Sequence, residues 1–255
     1  MQFETIKVEA SGAVGTLALN RPQKRNALSM PMLAELRAAA HWFDEQPQVR
    51  AVVVRGEGRA FCAGADLTWF DPTGNPDFHR EADSGRLMAE AIECMRAVTV
   101  AAIHGACIGG GLVLAAACDL RVAGEGATFA IPEVDLGIPL AWGGIPRLMR
   151  EIGPALTKEL VMTCRRFDAA AARSIGFLNR VVPDVDVVAE ARRLAEQVAA
   201  KPRNVILATK RHVDAVSAAM VGSAHAWSDA DGLLAAFLDE EAGEARRRYL
   251  AARRG

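Results

Sequence analysis

The sequence has no surplus charge of one sign, no paired cysteine motif and no long apolar run. Thirty lysines and arginines stand against 31 aspartates and glutamates, a formal net charge of −1. No global field therefore recruits nucleic acid or an anionic membrane surface. No uninterrupted apolar stretch reaches the length of a membrane span. The opening MQFETIKVEA lacks a basic segment followed by an apolar one, so no secretory signal is visible. The five cysteines, Cys62, Cys94, Cys107, Cys118 and Cys164, contain no CxxC pair. Scattered through apolar segments, they read as reduced thiols of a cytoplasmic protein. The five histidines form no HxH or HxxxH pair, so a zinc site is not expected. Internal repeats and low-complexity tracts are missing too. What remains is 255 residues, 51% hydrophobic and 24% charged, enough for one large domain or one domain with a small appendage.

The most informative stretch is Ala101 to Leu120, AAIHGACIGGGLVLAAACDL. An apolar run from Val98 to Ile103 has the length of a buried strand. It crosses His104-Gly105 and reaches Gly109, Gly110 and Gly111, followed at once by the apolar helical run Leu112 to Cys118. A strand, a glycine turn and a helix point free backbone N–H groups at a ligand, with the helix dipole adding partial positive charge there. Such a place suits a developing oxyanion as well as a phosphate. Alternatively, the three glycines only permit close helix packing.

Around this centre the chain alternates short strands and helices. Phe3 to Glu9 and Val14 to Leu19, separated by Ser11-Gly12, predict a hairpin. Ser29 is placed to cap a helix with Pro31 in its first turn and Met32, Leu33, Leu36 and Ala40 as its apolar stripe. Ala51 to Val54 is a buried strand. Trp69 to Asp83 is polar and rich in proline and glycine, and predicts a loop. A helix from about Ser84 to Ala97 follows. Asp119 to Val122, Thr128 to Pro132 and Arg180 to Pro183 are short extended segments. Gly143-Gly144 opens a helix, and Asp168 caps another that ends at Gly176. From Asp184 onward the signal is helical, near 184–200, 202–219 and 222–253. The change at 184 predicts a core over 1–183 and a helical region over 184–255.

Several segments together resemble the enoyl-CoA hydratase/isomerase, or crotonase, family. They are Asn20-Arg-Pro-Gln-Lys-Arg-Asn-Ala-Leu28, Arg59-Ala-Phe-Cys-Ala-Gly-Ala-Asp-Leu67, His104-Gly-Ala-Cys-Ile-Gly-Gly-Gly111, Ala117-Cys-Asp-Leu-Arg121 and Pro132-Glu-Val-Asp-Leu-Gly137. Gly143-Gly-Ile-Pro-Arg-Leu148 and Ile175-Gly-Phe-Leu-Asn-Arg-Val-Val-Pro183 continue the order, and Ala245 to Arg253 is similar to the family's ending. The resemblance implies an α/β spiral of ββα units with a C-terminal helical trimerisation region, assembled as trimers or pairs of trimers. It implies an acyl-CoA thioester as substrate, with coenzyme A part of that substrate and no separate cofactor. The N–H groups of Ala65 and Gly110 would hold the thioester oxygen as it becomes an enolate. Ala27, Asp66, Leu67, Thr68 and Gly109 fall on the loops that meet the substrate. Lys24 and Arg25 are either phosphate contacts or two solvated loop charges, and Arg246, Arg247 or Arg248 of a neighbouring subunit are alternatives for the same task.

Two positions depart from the family's pattern. Hydratases of the family hold a water between two glutamates. Glu133 stands for the second, but Val113 replaces the first, and an isopropyl group neither accepts a proton nor orients water. One carboxylate suffices for moving a proton from the α to the γ carbon of a 3-enoyl thioester. The expectation is therefore an enoyl-CoA isomerase. The alternatives are a hydratase or lyase whose second acid or base comes from Asp71, Asp77, His79 or Glu81, and a non-catalytic acyl-CoA-binding protein. The second departure is Pro139-Leu-Ala-Trp142, where Trp142 either narrows the acyl pocket or packs in the core. Asp66, Asp119 and His104 are expected to be structural. Cys62 and Cys107 lie near the site in sequence, yet nothing marks either as a nucleophile.

Overall fold

The computed structural model describes residues 3–69, 75–222, 226 and 228–252. The chain opens with the expected hairpin, β1 (Ile6–Ser11) against β2 (Val14–Leu19), turning at Gly12 with φ +64°. Helix α1 (Met30–Asp44) follows, with Met32, Leu33, Leu36 and Ala40 buried as its stripe predicts. Ser29 occupies the cap position in extended conformation, but its hydroxyl makes no capping bond. Strand β3 (Ala51–Gly56) leads to α2 (Phe78–Glu93), then β4 (Val98–Ile103) and β5 (Ala106–Ile108). Next come α3 (Gly110–Ala117), β6 (Leu120–Gly124) and β7 (Thr128–Ala130). Helix α4 (Gly144–Thr163), kinked at Gly153-Pro154, precedes β8 (Phe167–Asp168), α5 (Ala169–Ser174) and β9 (Arg180–Val182). The chain then continues through α6 (Val187–Ala199), α7 (Arg203–Met220), α8 (Asp229–Leu238) and α9 (Glu240–Ala252).

The main sheet has six strands in the order β1-β2-β3-β4-β6-β9, parallel except for the first hairpin. A second sheet, β5-β7-β8, stands beside it. Both faces of the main sheet are covered, which explains why its central strands read as continuous apolar runs. Val52 and Val54 of β3 enter the larger core with α1, α2 and α3. Ala51 and Val53 face Val187, Ala191, Leu194 and Ala195 of α6 instead. Every residue of α3 is buried, as befits a helix apolar all round.

Two expected boundaries are corrected. The helix expected from Ser84 begins at Phe78, so Asp77, His79 and Glu81 lie at the start of or on α2 rather than in a loop. Phe78 is buried and packs edge-on against Phe237 at 5.5 Å, a tertiary contact that a local pattern does not carry. The single helix expected over 222–253 is two. Asp239 is extended, and its carboxylate accepts from the Ala242 N–H at 2.8 Å, capping α9. The Asp168 cap is present, accepting from the Ala171 N–H at 2.8 Å.

Candidate active site

The glycine turn is held by two neighbours. Cys62 N–H donates to Ala106 and Ile108 N–H donates to Cys62, so the loop before Ala65 runs alongside β5. A Cβ on Gly64 would stand 2.9 Å from the Ile108 carbonyl and 3.7 Å from the Gly110 nitrogen. The loop bearing Ala65 therefore lies directly on the N-terminus of α3. Among the described residues, neither the Ala65 nor the Gly110 N–H donates to a backbone acceptor. Gly110 is the first residue of α3, where N–H groups have no partner within the helix.

Each glycine of the triplet answers to a different side chain. A Cβ on Gly109 would sit 2.3 Å from Glu133 Oε1. One on Gly110 would sit 2.4 Å from the Trp142 ring, and one on Gly111 would sit 2.7 Å from Cys62 Cβ. The alternatives of ligand site and close packing are thus divided within the triplet: Gly111 serves packing, while Gly109 and Gly110 admit two residues of the pocket.

That pocket is a cavity of about 40 Å³. Ala65, Leu67, Gly110, Val113, Glu133 and Trp142 meet there, joined by Ile138, Leu140 and Leu233. Glu133 is the one titratable group lining it among the described residues. The residue keeps part of its surface exposed, but its Oε2 is sealed from solvent and has no hydrogen-bond partner. Burial pushes its carboxyl up to about 7, against a smaller downward pull from its own N–H. Val113 adds only methyl groups to the wall.

Trp142 is both pocket wall and core. It is 5% exposed and has φ +62°, a left-handed conformation that costs a bulky residue about 1–2 kcal/mol. Its loop is braced from below. Arg147, with no exposed surface, donates to the carbonyls of Trp142 at 3.3 Å and Gly143 at 3.1 Å and pairs with Glu93. Asp229 of α8 accepts from the Gly143 N–H at 2.8 Å.

The other expected site residues lie around the pocket rather than in it. Lys24 and Arg25 are exposed on the loop leading to Ala27 and Leu28. That loop meets the Ala65 loop through Ala63 N–H to Arg25 and Leu28 N–H to Gly64. Asp66 binds Arg21 at 2.9 Å and the Thr68 hydroxyl at 2.8 Å. Burial raises its carboxyl, but these bonds prevail and lower it, so it is structural through side chains more than through backbone. Thr68 is exposed beside it. His104 binds the Gly58 carbonyl at 2.9 Å. Burial pushes the Cys62 thiol up to about 12 and raises that of Cys107 well above its usual value, which disarms both as nucleophiles. Asp119 bonds Thr99 as expected, and also pairs with Lys210 at 2.6 Å, a partner 91 residues away.

The proposed suppliers of a second acid or base are elsewhere. His79 faces Asp231 at 3.6 Å, Glu81 accepts from Asn75, and Asp77 is exposed near Arg80. Asp71 lies outside the described residues. Arg246 folds back on its own α8, 4.0 Å over the Phe237 ring.

Sequence reasoning missed two groups that shape the site. Buried Asn26 donates to the carbonyls of Glu57, Ala60 and Phe61, tying down the segment that leads to Ala65. Its φ of +57° is a conformation asparagine tolerates, and its place in the Asn20–Leu28 motif was the available signal. Gly85, inside α2, leaves room for the Trp142 ring, which a Cβ there would meet at 2.0 Å. An isolated glycine inside a helical pattern was its signal.

The sheet order, the glycine turn and the pocket beneath it define an α/β protein of the crotonase fold. An enoyl-CoA hydratase/isomerase from Pseudoalteromonas atlantica superposes with a TM-score of 0.87 over 98% of each chain, at 28% identity. The family model described as enoyl-CoA hydratase/isomerase matches residues 9–254, and the chain belongs to that family. A probable enoyl-CoA hydratase of Mycobacterium bovis is 40% identical over 78% of this chain and 76% of its own length. A crotonyl-CoA hydratase of Syntrophomonas wolfei is 32% identical over 82% and 81%. A structure titled a monofunctional enoyl CoA isomerase, from M. smegmatis, matches with a TM-score of 0.72 and 28% identity over 84% of this chain and 93% of that one. Among the described residues no helix is long and apolar enough to cross a membrane, and no cluster of His, Cys, Asp and Glu could hold a metal ion.

Proposed function

We propose that the protein is an enoyl-CoA isomerase that moves a double bond by a 1,3-proton shift with Glu133 as its one base. The observation that carries this is the Glu133 carboxyl: its Oε2 is sealed and unpartnered, it is raised to about 7, and it shares its pocket with Val113 and with no second carboxylate among the described residues. The ionised carboxylate takes a proton from the α carbon of a 3-enoyl thioester. The electron pair left by that C–H bond spreads into a dienolate whose oxygen is held by the N–H groups of Ala65 and Gly110. Removal of one such donor typically costs about 3–4 kcal/mol in a transition state. Glu133 returns the proton to the γ carbon, the double bond settles between the α and β carbons, and the carboxylate is restored. A carboxyl with pKa near 7 suits both halves, being ionised often enough to accept and acidic enough to give back. A dry, apolar wall keeps water from competing.

Hydration is the second reading, because the curated relatives named above are called hydratases. Turnover of a 3-enoyl-CoA and a 2-enoyl-CoA of equal chain length, side by side, separates the two. Isomerisation of the first without hydration of the second is expected. Hydration of the 2-enoyl-CoA would overturn the one-base account. Binding without turnover of either would make the chain an acyl-CoA binder.

Self-association in trimers or pairs of trimers belongs to the same reading. Helix α7 leaves Val205, Val213, Val216 and Met220 exposed along one face, an apolar stripe of the kind that marks an interface. Val213→Glu with Val216→Glu is expected to yield a smaller species by light scattering. An unchanged mass would remove α7 from the interface.

A further inference from the structure

We propose that the Trp142 indole is the end wall of the acyl pocket and restricts the substrate to a short acyl group of about four carbons, an inference that rests on the pocket being the acyl site. The wall is built from three sides. Gly85 of α2 and Gly110 of α3 both lack a Cβ where the ring sits, and a Cβ at either would come within 2.4 Å of it. The two glycines come from different elements, and both make room for the same ring. Glycine inside a helix is unfavourable for α2, so that room is maintained against local preference. The backbone at Trp142 is left-handed, held by Arg147 and by the Gly143 N–H bond to Asp229. Strain of this kind persists only where the surroundings over-determine it. The backbone that carries the ring is therefore held in place.

Its place sets the limit. The ring touches Gly110, whose N–H faces the site of the thioester oxygen, and it lines the same cavity as Glu133. The cavity is small, about 40 Å³. A cavity of that size suits a short acyl group rather than a long one. Trp142, Leu140 and Leu233 share its wall.

The test is competition binding of butyryl-, hexanoyl- and octanoyl-CoA, saturated thioesters that need no turnover. The wild type is expected to bind octanoyl-CoA at least about 100-fold more weakly than butyryl-CoA, since a well-shaped pocket discriminates about 10- to 200-fold per methylene. Trp142→Gly fits the left-handed backbone and is expected to raise octanoyl-CoA binding relative to butyryl-CoA by about 10-fold or more. Equal affinity of the wild type for all three would overturn the wall, whatever the variant does. An unchanged profile in a folded Trp142→Gly protein would do so too. A four-carbon cut-off in a protein that isomerises nothing supports the wall and removes the isomerase. Isomerisation of every chain length does the reverse.

Discussion

Glu133→Gln is expected to lower isomerisation by about 10²- to 10⁴-fold, the usual range for a positioned acid–base group, while making the folded protein more stable at alkaline pH. Both effects have one origin. Burial raises the Glu133 carboxyl from 4.5 to about 7, so the folded chain holds that proton more tightly than the unfolded chain does. The stabilisation is fully present below pH 4.5, fades as pH rises, and is gone above about pH 7. At about 1.4 kcal/mol per pH unit the gap corresponds to about 3 kcal/mol. Glutamine does not ionise and escapes this loss. The buried amide has its own cost, but the same one at every pH. The clean readout is therefore the difference in unfolding free energy between variant and wild type, measured at pH 5 and pH 8. It should shift by about 2–3 kcal/mol in the variant's favour at pH 8. A pH-independent difference would mean that Glu133 titrates as an ordinary exposed carboxylate. In the wild type, the same carboxyl should appear as a rise in kcat/KM with pH, centred near 7.

Glu93→Ala is expected to destabilise the fold by about 3 kcal/mol, at the lower edge of the range for breaking a buried pair. Arg147 has no exposed surface, and its Nε already lacks a partner. Without Glu93 its charge would face only the Trp142 and Gly143 carbonyls. The side chain of Glu93 is 21% exposed and shared with Arg150, which keeps the effect below the upper limit. Arg147→Met added to Glu93→Ala should recover part of the loss, since no buried charge then remains uncompensated. Urea unfolding of the single and double variants measures this. A loss below 1 kcal/mol would mean that water reaches the guanidinium.

The elements legible in the sequence are those with local cause. The hairpin at Gly12, the apolar strands, the glycine turn opening α3 and the Asp168 cap all follow from a residue and its near neighbours. Gly110, Val113 and Glu133 line one pocket and Gly109 packs against Glu133, a grouping legible only because the family's motifs carry these positions. From the sequence Trp142 reads equally as pocket wall or core packing, and it is both. What was not legible depends on contacts distant in sequence. Only Phe78 and Ala82 stand apolar in the first turns of α2, so its start shows no periodicity until Phe237 is packed against it. The pairing of Lys210 with Asp119, of Arg147 with Glu93, and of Trp142 with Gly85 left no local pattern to read.

Leu233 closes the pocket, and Asp229 fastens the loop that carries Trp142. Both belong to α8, near the end of the chain. The glycine turn, Glu133 and the Ala65 and Gly110 N–H groups all precede α8 in the sequence. The sealing of Glu133 therefore depends in part on α8, and loosening that helix would let water reach the carboxyl and draw its pKa back down.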